Sequence, residues 1–156
     1  MLRGRIGRVG VWLGPIALAT AEDERAAISR IEELGYGAAW FGETPVGREA
    51  FSHAALLLGA SERIVIASGI ANIWARDAAA AISGANTLNE GYGERFLLGL
   101  GVSHAPAVEF RGHDYAKPLT AMRGYLESLA KDGLPAPAED APASVPLTRG
   151  TVAVTI

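Results

Sequence analysis

The chain has 156 residues and a mass of 16.3 kDa, with 49% hydrophobic and 20% charged residues, enough apolar material to bury a core in one domain and too much for a disordered chain. Seventeen acidic against fourteen basic residues give a formal charge of -3; no cluster of Lys and Arg could follow a phosphate backbone, so nucleic acid is not expected as a partner. Cysteine is absent, which excludes disulfide scaffolds, thiolate metal centres, iron–sulfur clusters and cysteine nucleophiles, and fits a reducing cytoplasm.

The N-terminus imitates a secretory leader: Arg3, Arg5 and Arg8 precede an apolar stretch from Val9 to Leu18, and Ala19-Thr20-Ala21 resembles a cleavage site. Gly10, Gly14 and Pro15 interrupt that stretch, and Thr20-Ala21-Glu22-Asp23 reads as a capping box opening a helix that cleavage would destroy. No segment reaches the roughly 20 apolar residues needed to span a bilayer, so no membrane association is expected.

Arg8 to Leu13 is a short apolar run ended by Gly14-Pro15, a first strand. From about Glu22 to Leu34 a helix is predicted, with Ala27, Ile28, Ile31 and Leu34 on its inward stripe, and Gly35 stands where a left-handed cap is wanted. Ala38 to Gly42 is apolar and too short for a helix, giving a second strand. Arg48 to Ala60 reads as a helix with Phe51, Ala54, Ala55 and Leu58 inward, and Arg63 to Ile70, rich in Val and Ile, as a third strand. Asp77 can cap a helix running to about Glu90, Gly91-Tyr92-Gly93 turns the chain, and Phe96 to Leu100 makes a fourth strand. A further helix from Ala116 to about Lys131 would carry Leu119, Met122, Leu126 and Leu129 inward. Asp132 to Pro146 is dominated by Ala and Pro, where regular packing should lapse, and Thr151 to Ile156 alternates as either a fifth strand or an exposed sticky end.

Continuous apolar strands alternating with helices, at intervals of roughly 30 residues, predict an α/β fold: a parallel sheet covered by helices and joined by right-handed crossovers. In such folds the chemistry gathers at the carboxyl ends of the strands. Glu43 follows the second strand and His104 the fourth, so both belong to that rim. The plainer readings are a capping or solvated carboxylate and a hydrogen-bonded turn histidine.

Gly99-Leu100-Gly101 follows a strand, but the dinucleotide fingerprint needs a third glycine where His104 stands. Small residues there still let a flat ring or a phosphate approach the backbone, or merely bend the chain into the next helix. Trp12, Trp40 and Trp74 are core filler by default, while Trp12 and Trp74 lie near strand ends, where a ring can wall a flat cofactor. His104, Glu109 and His113 match no metal-ligand spacing, and no phosphate-binding Walker sequence, HExxH or G-x-S-x-G is present.

Three blocks carry a family resemblance: EELGYGAAWFGE (Glu32 to Glu43), RIVIASGIANIWARD (Arg63 to Asp77) and RFLLGLGVSHAP (Arg95 to Pro106). They resemble the luciferase-like monooxygenase family, and more narrowly its branch that uses the deazaflavin coenzyme F420, over a stretch from about Arg8 to Leu134. The resemblance implies a (β/α)8 barrel that binds the deazaflavin, or alternatively FMN, at the carboxyl ends of its strands. It also implies an oxidoreductase acting on a small-molecule substrate by hydride transfer or oxygen activation at the ring, with the cofactor carrying the hard chemistry. By position, Ser68, Gly69, Ile70 and Ala71 match the segment where relatives make a bulge, often with a non-proline cis peptide bond, against the ring. Asn72 would follow as a polar contact, and Gly99, Gly101, Val102 and Ser103 would lie beside the cofactor. His104 falls where deazaflavin relatives often place an acidic catalytic group and Glu43 where many have a histidine, so the proposed catalytic pair looks exchanged. Ala78 stands where relatives usually have a proline after the helix cap.

A complete barrel takes roughly 250 residues. The expectation is therefore about the first four units of one, a half barrel over residues 1–134 followed by an Ala/Pro-rich tail over 135–156 that reads as truncated or frame-shifted. Two alternatives accompany it: a non-catalytic fragment, which can pair as a homodimer through its exposed first and last strands, and an ordinary open α/β sheet with an unrelated ligand at its strand ends.

Overall fold

The computed structural model describes residues 4–14, 19–131 and 152–154. The latter half of the leader-like stretch and the Ala/Pro-rich segment fall outside them. The strands are β1 (Val11–Trp12), β2 (Ala38–Phe41), β3 (Val65–Ser68), β4 (Ala71–Asn72), β5 (Phe96–Gly101) and β6 (Val152–Val154). The helices are α1 (Ala21–Glu33), α2 (Ala50–Leu58), α3 (Ala78–Gly91), α4 (Ala105–Phe110) and α5 (Pro118–Ala130).

Every strand pair is parallel, in the order β1-β2-β3-β5, with β4 and β6 also paired to β5. Strands β3 and β4 are two halves of one interrupted strand. Ile66 lies opposite Phe96 but Ala71 opposite Leu100, so the offset drops from 30 residues to 29 across the break. One extra residue is thus accommodated on the β3–β4 side, a bulge. Val152–Val154 takes the strand alternative of the two readings for the end of the chain, pairing with Leu98–Leu100.

Alternation along each strand splits the core into two layers. Ala39 and Phe41, Ile66, and Phe96, Leu98 and Leu100 pack with the helices, against Ile28, Leu57, Ala81 and Leu88 among others. Ala38, Val65, Ala67 and Leu97 form the second, smaller layer with Trp40 and Ile6.

Local chemistry starts the helices where the sequence indicated. Thr20 Oγ1 accepts from Asp23 N (3.2 Å) and the Asp23 carboxylate accepts from Thr20 N (3.4 Å), a reciprocal capping box that is typically worth about 1 kcal/mol. Asp77 accepts from Ala80 N at 2.7 Å to open α3. The cap of α2 is Glu49, which accepts from Phe51 N and Ser52 N, so that helix begins later than the pattern suggested.

Three inward assignments need correction. Leu34 is 58% exposed because it lies past the last helical residue of α1, and the stripe it was meant to extend contains instead the buried Glu24. In α2 the buried positions are Ala50, His53, Ala54, Leu57 and Leu58, while Phe51 and Ala55 are only half-buried. In α5, Leu119 is 75% exposed; it sits in the first turn, and the residues packed on the core are Ala121, Met122, Tyr125, Leu126 and Leu129. Helix α4 is short, has Pro106 in its first turn and was not expected.

Glu24, fully buried, lies 2.9 Å from Arg48 Nε and 3.1 Å from His53 Nε2, although neither contact aligns as a hydrogen bond. The His53 ring packs on Phe41 at 4.5 Å. Burial pushes His53 below the ordinary imidazole value; Glu24 pulls the other way and Arg48 adds to the lowering.

At the amino ends of the strands, Arg95 is 5% exposed and donates to the carbonyls of Leu58, Ser61, Ile64 and Tyr92 and to Ser61 Oγ. Beside it the Glu32 carboxylate accepts from the backbone N–H groups of Glu62, Arg63 and Ile64.

Candidate functional site

The carboxyl ends of the strands are built differently, and the break between β3 and β4 is their centre. The Gly69–Ile70 peptide bond is cis. Ser68, 2% exposed, bridges the gap left in the ladder: its Oγ accepts from Gly99 N and donates to Gly99 O, both at 2.9 Å. Gly69 N donates to Phe41 O at 2.7 Å. The Ile70 side chain lies on Gly101, where a Cβ would sit only 2.6 Å from it. Glycine at 101 is thus what seats Ile70.

Trp12 is 55% exposed, and its indole rests on glycines from three parts of the chain. A Cβ would fall 2.7 Å from the ring at Gly14, 3.6 Å at Gly42 and 2.7 Å at Gly69. The strand ends therefore form a side-chain-free floor that already carries one flat aromatic ring.

Glu43 sits at the end of β2 with its carboxylate 1% exposed. Oε2 accepts from Asn72 N (2.8 Å) and Arg76 Nη1 (3.1 Å), while Oε1 accepts from Ala50 N (3.3 Å) and Arg76 Nη2. Its backbone N–H donates to Ile70 O at 3.2 Å. Arg76 also reaches Glu49 Oε1 (2.8 Å) and Asn72 O (3.3 Å), and its guanidinium lies 5.0 Å from the Phe51 ring centre. Burial raises the Glu49 carboxyl, but N–H donors from Ser52 and Phe51, with Arg76, outweigh it and hold the group below the usual range.

Asn72 is 2% exposed, and its Oδ1 accepts from Trp74 N at 3.0 Å, so that oxygen serves the turn. Ala71 is buried in the helix-side core. At the end of β5, Val102 O accepts from Trp74 Nε1 and Ser103 O from the Tyr115 hydroxyl, both at 3.0 Å, and Ser103 adopts φ 58°. His104 stands at the N-cap of α4, exposed, with no side-chain capping bond. Among the described residues no hydrogen bond or ion pair joins His104 to Glu43, which share the rim without touching.

Two openings flank this rim. One, of about 350 Å³, is lined by Glu43, Thr44, Glu49, Arg76 and Arg111. The other, of about 650 Å³, is lined by Trp74, Arg76, Asp77, His113 and Tyr125. The Tyr125 hydroxyl donates to Arg76 O (3.2 Å) and Asp77 O (3.0 Å). Burial pushes it up to about 12 against the opposing pull of Arg76, so it remains a donor. Trp74, read in the sequence as a ring near a strand end, lines the larger opening, whereas Arg76, Glu49 and Tyr125 were not singled out in the sequence as rim residues. The available signal for Arg76 was its place just before the Asp77 cap, four residues beyond Asn72.

Among the described residues no group of three His, Asp or Glu side chains is placed to hold a metal, and no helix is long and apolar enough to cross a membrane.

Residues 6–131 match the model of the luciferase-like monooxygenase family, and the chain belongs to that family. A 5,10-methylenetetrahydromethanopterin reductase of Methanolobus tindarius is 30% identical over 111 residues, which is 65% of this chain and 34% of the relative. A coenzyme F420-dependent tetrahydromethanopterin reductase from Methanopyrus kandleri superposes with a TM-score of 0.68 at 20% identity, over 78% of this chain and 39% of that one. The oxygenating constituent of 3,6-diketocamphane monooxygenase from Pseudomonas putida, in complex with FMN, gives 0.66 at 14% identity, over 80% and 37%. The chain spans about a third of the length of the curated relatives it matches, 34% and 35%. The parallel βα repeats are thus the half-barrel part of that fold.

Proposed function

We propose that this chain is the ring-binding half of a flavin- or deazaflavin-dependent oxidoreductase, with coenzyme F420 as the favoured cofactor and FMN as the alternative. The observation that carries this reading is the glycine floor under Trp12, at the carboxyl edge of a parallel sheet. A floor that accepts one flat ring without side-chain obstruction fits an isoalloxazine-type ring, and of the proteins compared above the Methanopyrus kandleri reductase is named as coenzyme F420-dependent and the Pseudomonas putida monooxygenase as a complex with FMN.

The bound cofactor supplies hydride transfer or oxygen activation at its ring. On this chain, Trp12, Gly69 and Ile70 contribute the apolar contact face. Gly99 and Gly101 lie at the end of β5 beside it, Gly101 seating Ile70, with Ser68, Ala71, Asn72, Val102 and Ser103 shaping the backbone around it. Of the two residues expected as a catalytic pair, His104 has the free side chain, and an imidazole carries both a donor and an acceptor nitrogen. We assign proton exchange with a small-molecule substrate to it. Among the described residues β1 pairs only with β2, and its other edge is where a second copy would add to the sheet.

Native mass spectrometry of the full chain, alone and with the deazaflavin or FMN, tests the reading. A stoichiometric adduct is expected, and His104→Ala should keep it while abolishing turnover. A chain that binds neither cofactor is a non-catalytic half barrel, and the proposal fails.

A further inference from the structure

We propose that Arg76 and Glu43 are positioning residues: their buried ion pair holds the Ile70–Asn72 segment, and with it the glycine floor, in the shape that receives a flat ring. Neither residue transfers a proton. The part of this inference that concerns cofactor affinity rests on the function proposed above; the part that concerns the shape of the floor does not.

The starting point is the interrupted strand. The ladder with β5 runs through Ala67 opposite Leu97 and resumes with Ala71 opposite Leu100, one residue out of step. Backbone groups in a buried break must find partners elsewhere. Ile70 O takes Glu43 N at 3.2 Å, Asn72 N takes Glu43 Oε2 at 2.8 Å, and Asn72 O takes Arg76 Nη1 at 3.3 Å beside Ala75 N at 3.1 Å. Two residues thus hold three backbone groups of the segment that follows Gly69. Two of those contacts are made to a charged side chain, the stronger kind of hydrogen bond.

The same pair ties the segment to its surroundings. Glu43 Oε1 accepts from Ala50 N at the start of α2, and Arg76 reaches Glu49, the cap of that helix. With side chains 1% and 9% exposed, the pair leaves little access for water to substitute. A guanidinium is suited to the task because its planar fork spans both carboxylate oxygens and still reaches a carbonyl and a second carboxylate, which an ammonium group cannot match.

The arrangement also argues against Glu43 as a proton carrier. A carboxylate offers about four lone-pair sites, and two N–H groups of the backbone with two of Arg76 occupy the carboxylate from both sides.

The test uses the full chain and three variants: Glu43→Gln, Arg76→Lys, and Leu57→Ala as a control in the helix-side core. Trp12 is the reporter, since its indole rests on Gly69; its N–H resonance is assigned with Trp12→Phe. Thermal unfolding, that resonance and fluorescence titrations with the deazaflavin and FMN are recorded for each. Glu43→Gln and Arg76→Lys should shift the Trp12 resonance and weaken cofactor binding by about tenfold or more, whereas Leu57→Ala, with an equal or larger loss of melting temperature, should leave both within about twofold. A Trp12 resonance unmoved in folded Glu43→Gln, or an affinity loss no greater than that of Leu57→Ala, overturns the proposal. If Arg76→Lys does not fold, Glu43→Gln decides, because it leaves the contact between Arg76 and Glu49 in place. If the unmodified chain binds neither cofactor, the proposed function fails, and the Trp12 resonance alone decides whether the pair shapes the floor.

Discussion

The two rims of the sheet use charge for opposite ends. At the amino rim, Arg95 donates to five backbone and hydroxyl acceptors and Glu32 collects three backbone N–H groups, so the charged groups tie together the loops that enter the strands. At the carboxyl rim, Glu43 and Arg76 brace a break in a strand, and the surface they support is glycine backbone, a half-exposed indole and an unpartnered imidazole. A buried charge can therefore stabilise a fold or maintain a particular surface, and its hydrogen-bond partners tell which. Barrel folds divide labour in the same sense, with stability at the bottom and chemistry at the top.

That contrast can be broken by substitution. Arg95→Met should have the largest effect on stability, about 3 to 5 kcal/mol in urea unfolding, because it strands several buried acceptors at once. Cofactor affinity of the fraction that remains folded should not change. Gly69→Ala should reverse the pattern. Its Cβ would lie 2.7 Å from the Trp12 ring, an overpacking cost of about 1 to 3 kcal/mol, yet Trp12 emission should shift and cofactor binding be lost together.

Two smaller predictions sharpen the comparison through pH. Burial raises the Glu32 carboxyl, but the N–H groups of Ile64, Arg63 and Glu62, with the charge of Arg63, outweigh it and hold the group below 4.5. Its stabilisation is complete above that value and is lost as the pH falls through the lower folded value. Glu32→Gln should therefore cost about 1 to 2 kcal/mol near neutrality and flatten the acid limb of a stability profile. His53 is held below 6.5, so the unfolded chain takes up the proton first and stability should decline as the pH drops beneath 6.5. His53→Gln should remove that decline. The smallest effect on stability is expected at His104, where substitution by alanine should leave the melting temperature unchanged while turnover drops by about a hundredfold or more.

Much of the carboxyl rim was legible as a place but not as a set of contacts. Strand ends near Trp12, Gly69, Asn72 and Gly101 could be found from apolar runs and family blocks, because each is a local property of its own segment. The partner of Glu43 could not, since Arg76 lies 33 residues away and nothing in the spacing links them. The same holds for Glu24, His53 and Arg48: a stripe read from apolar residues leaves out a buried carboxylate whose partners belong to another helix.

The sequence by itself determined the alternation of strands and helices, the capping of α1 by Thr20 and Asp23 and of α3 by Asp77, and the rim on which small residues collect. These follow from periodicity, turn chemistry and caps, which act over a few residues. Only the tertiary structure decided that one strand breaks and slips by a residue, that Val152–Val154 joins β5, that Leu34 and Leu119 face outward, and that Glu43 is held rather than free. Each of those depends on which distant groups meet in the folded chain, and burial and pairing energies between such groups are not written in the local pattern of either.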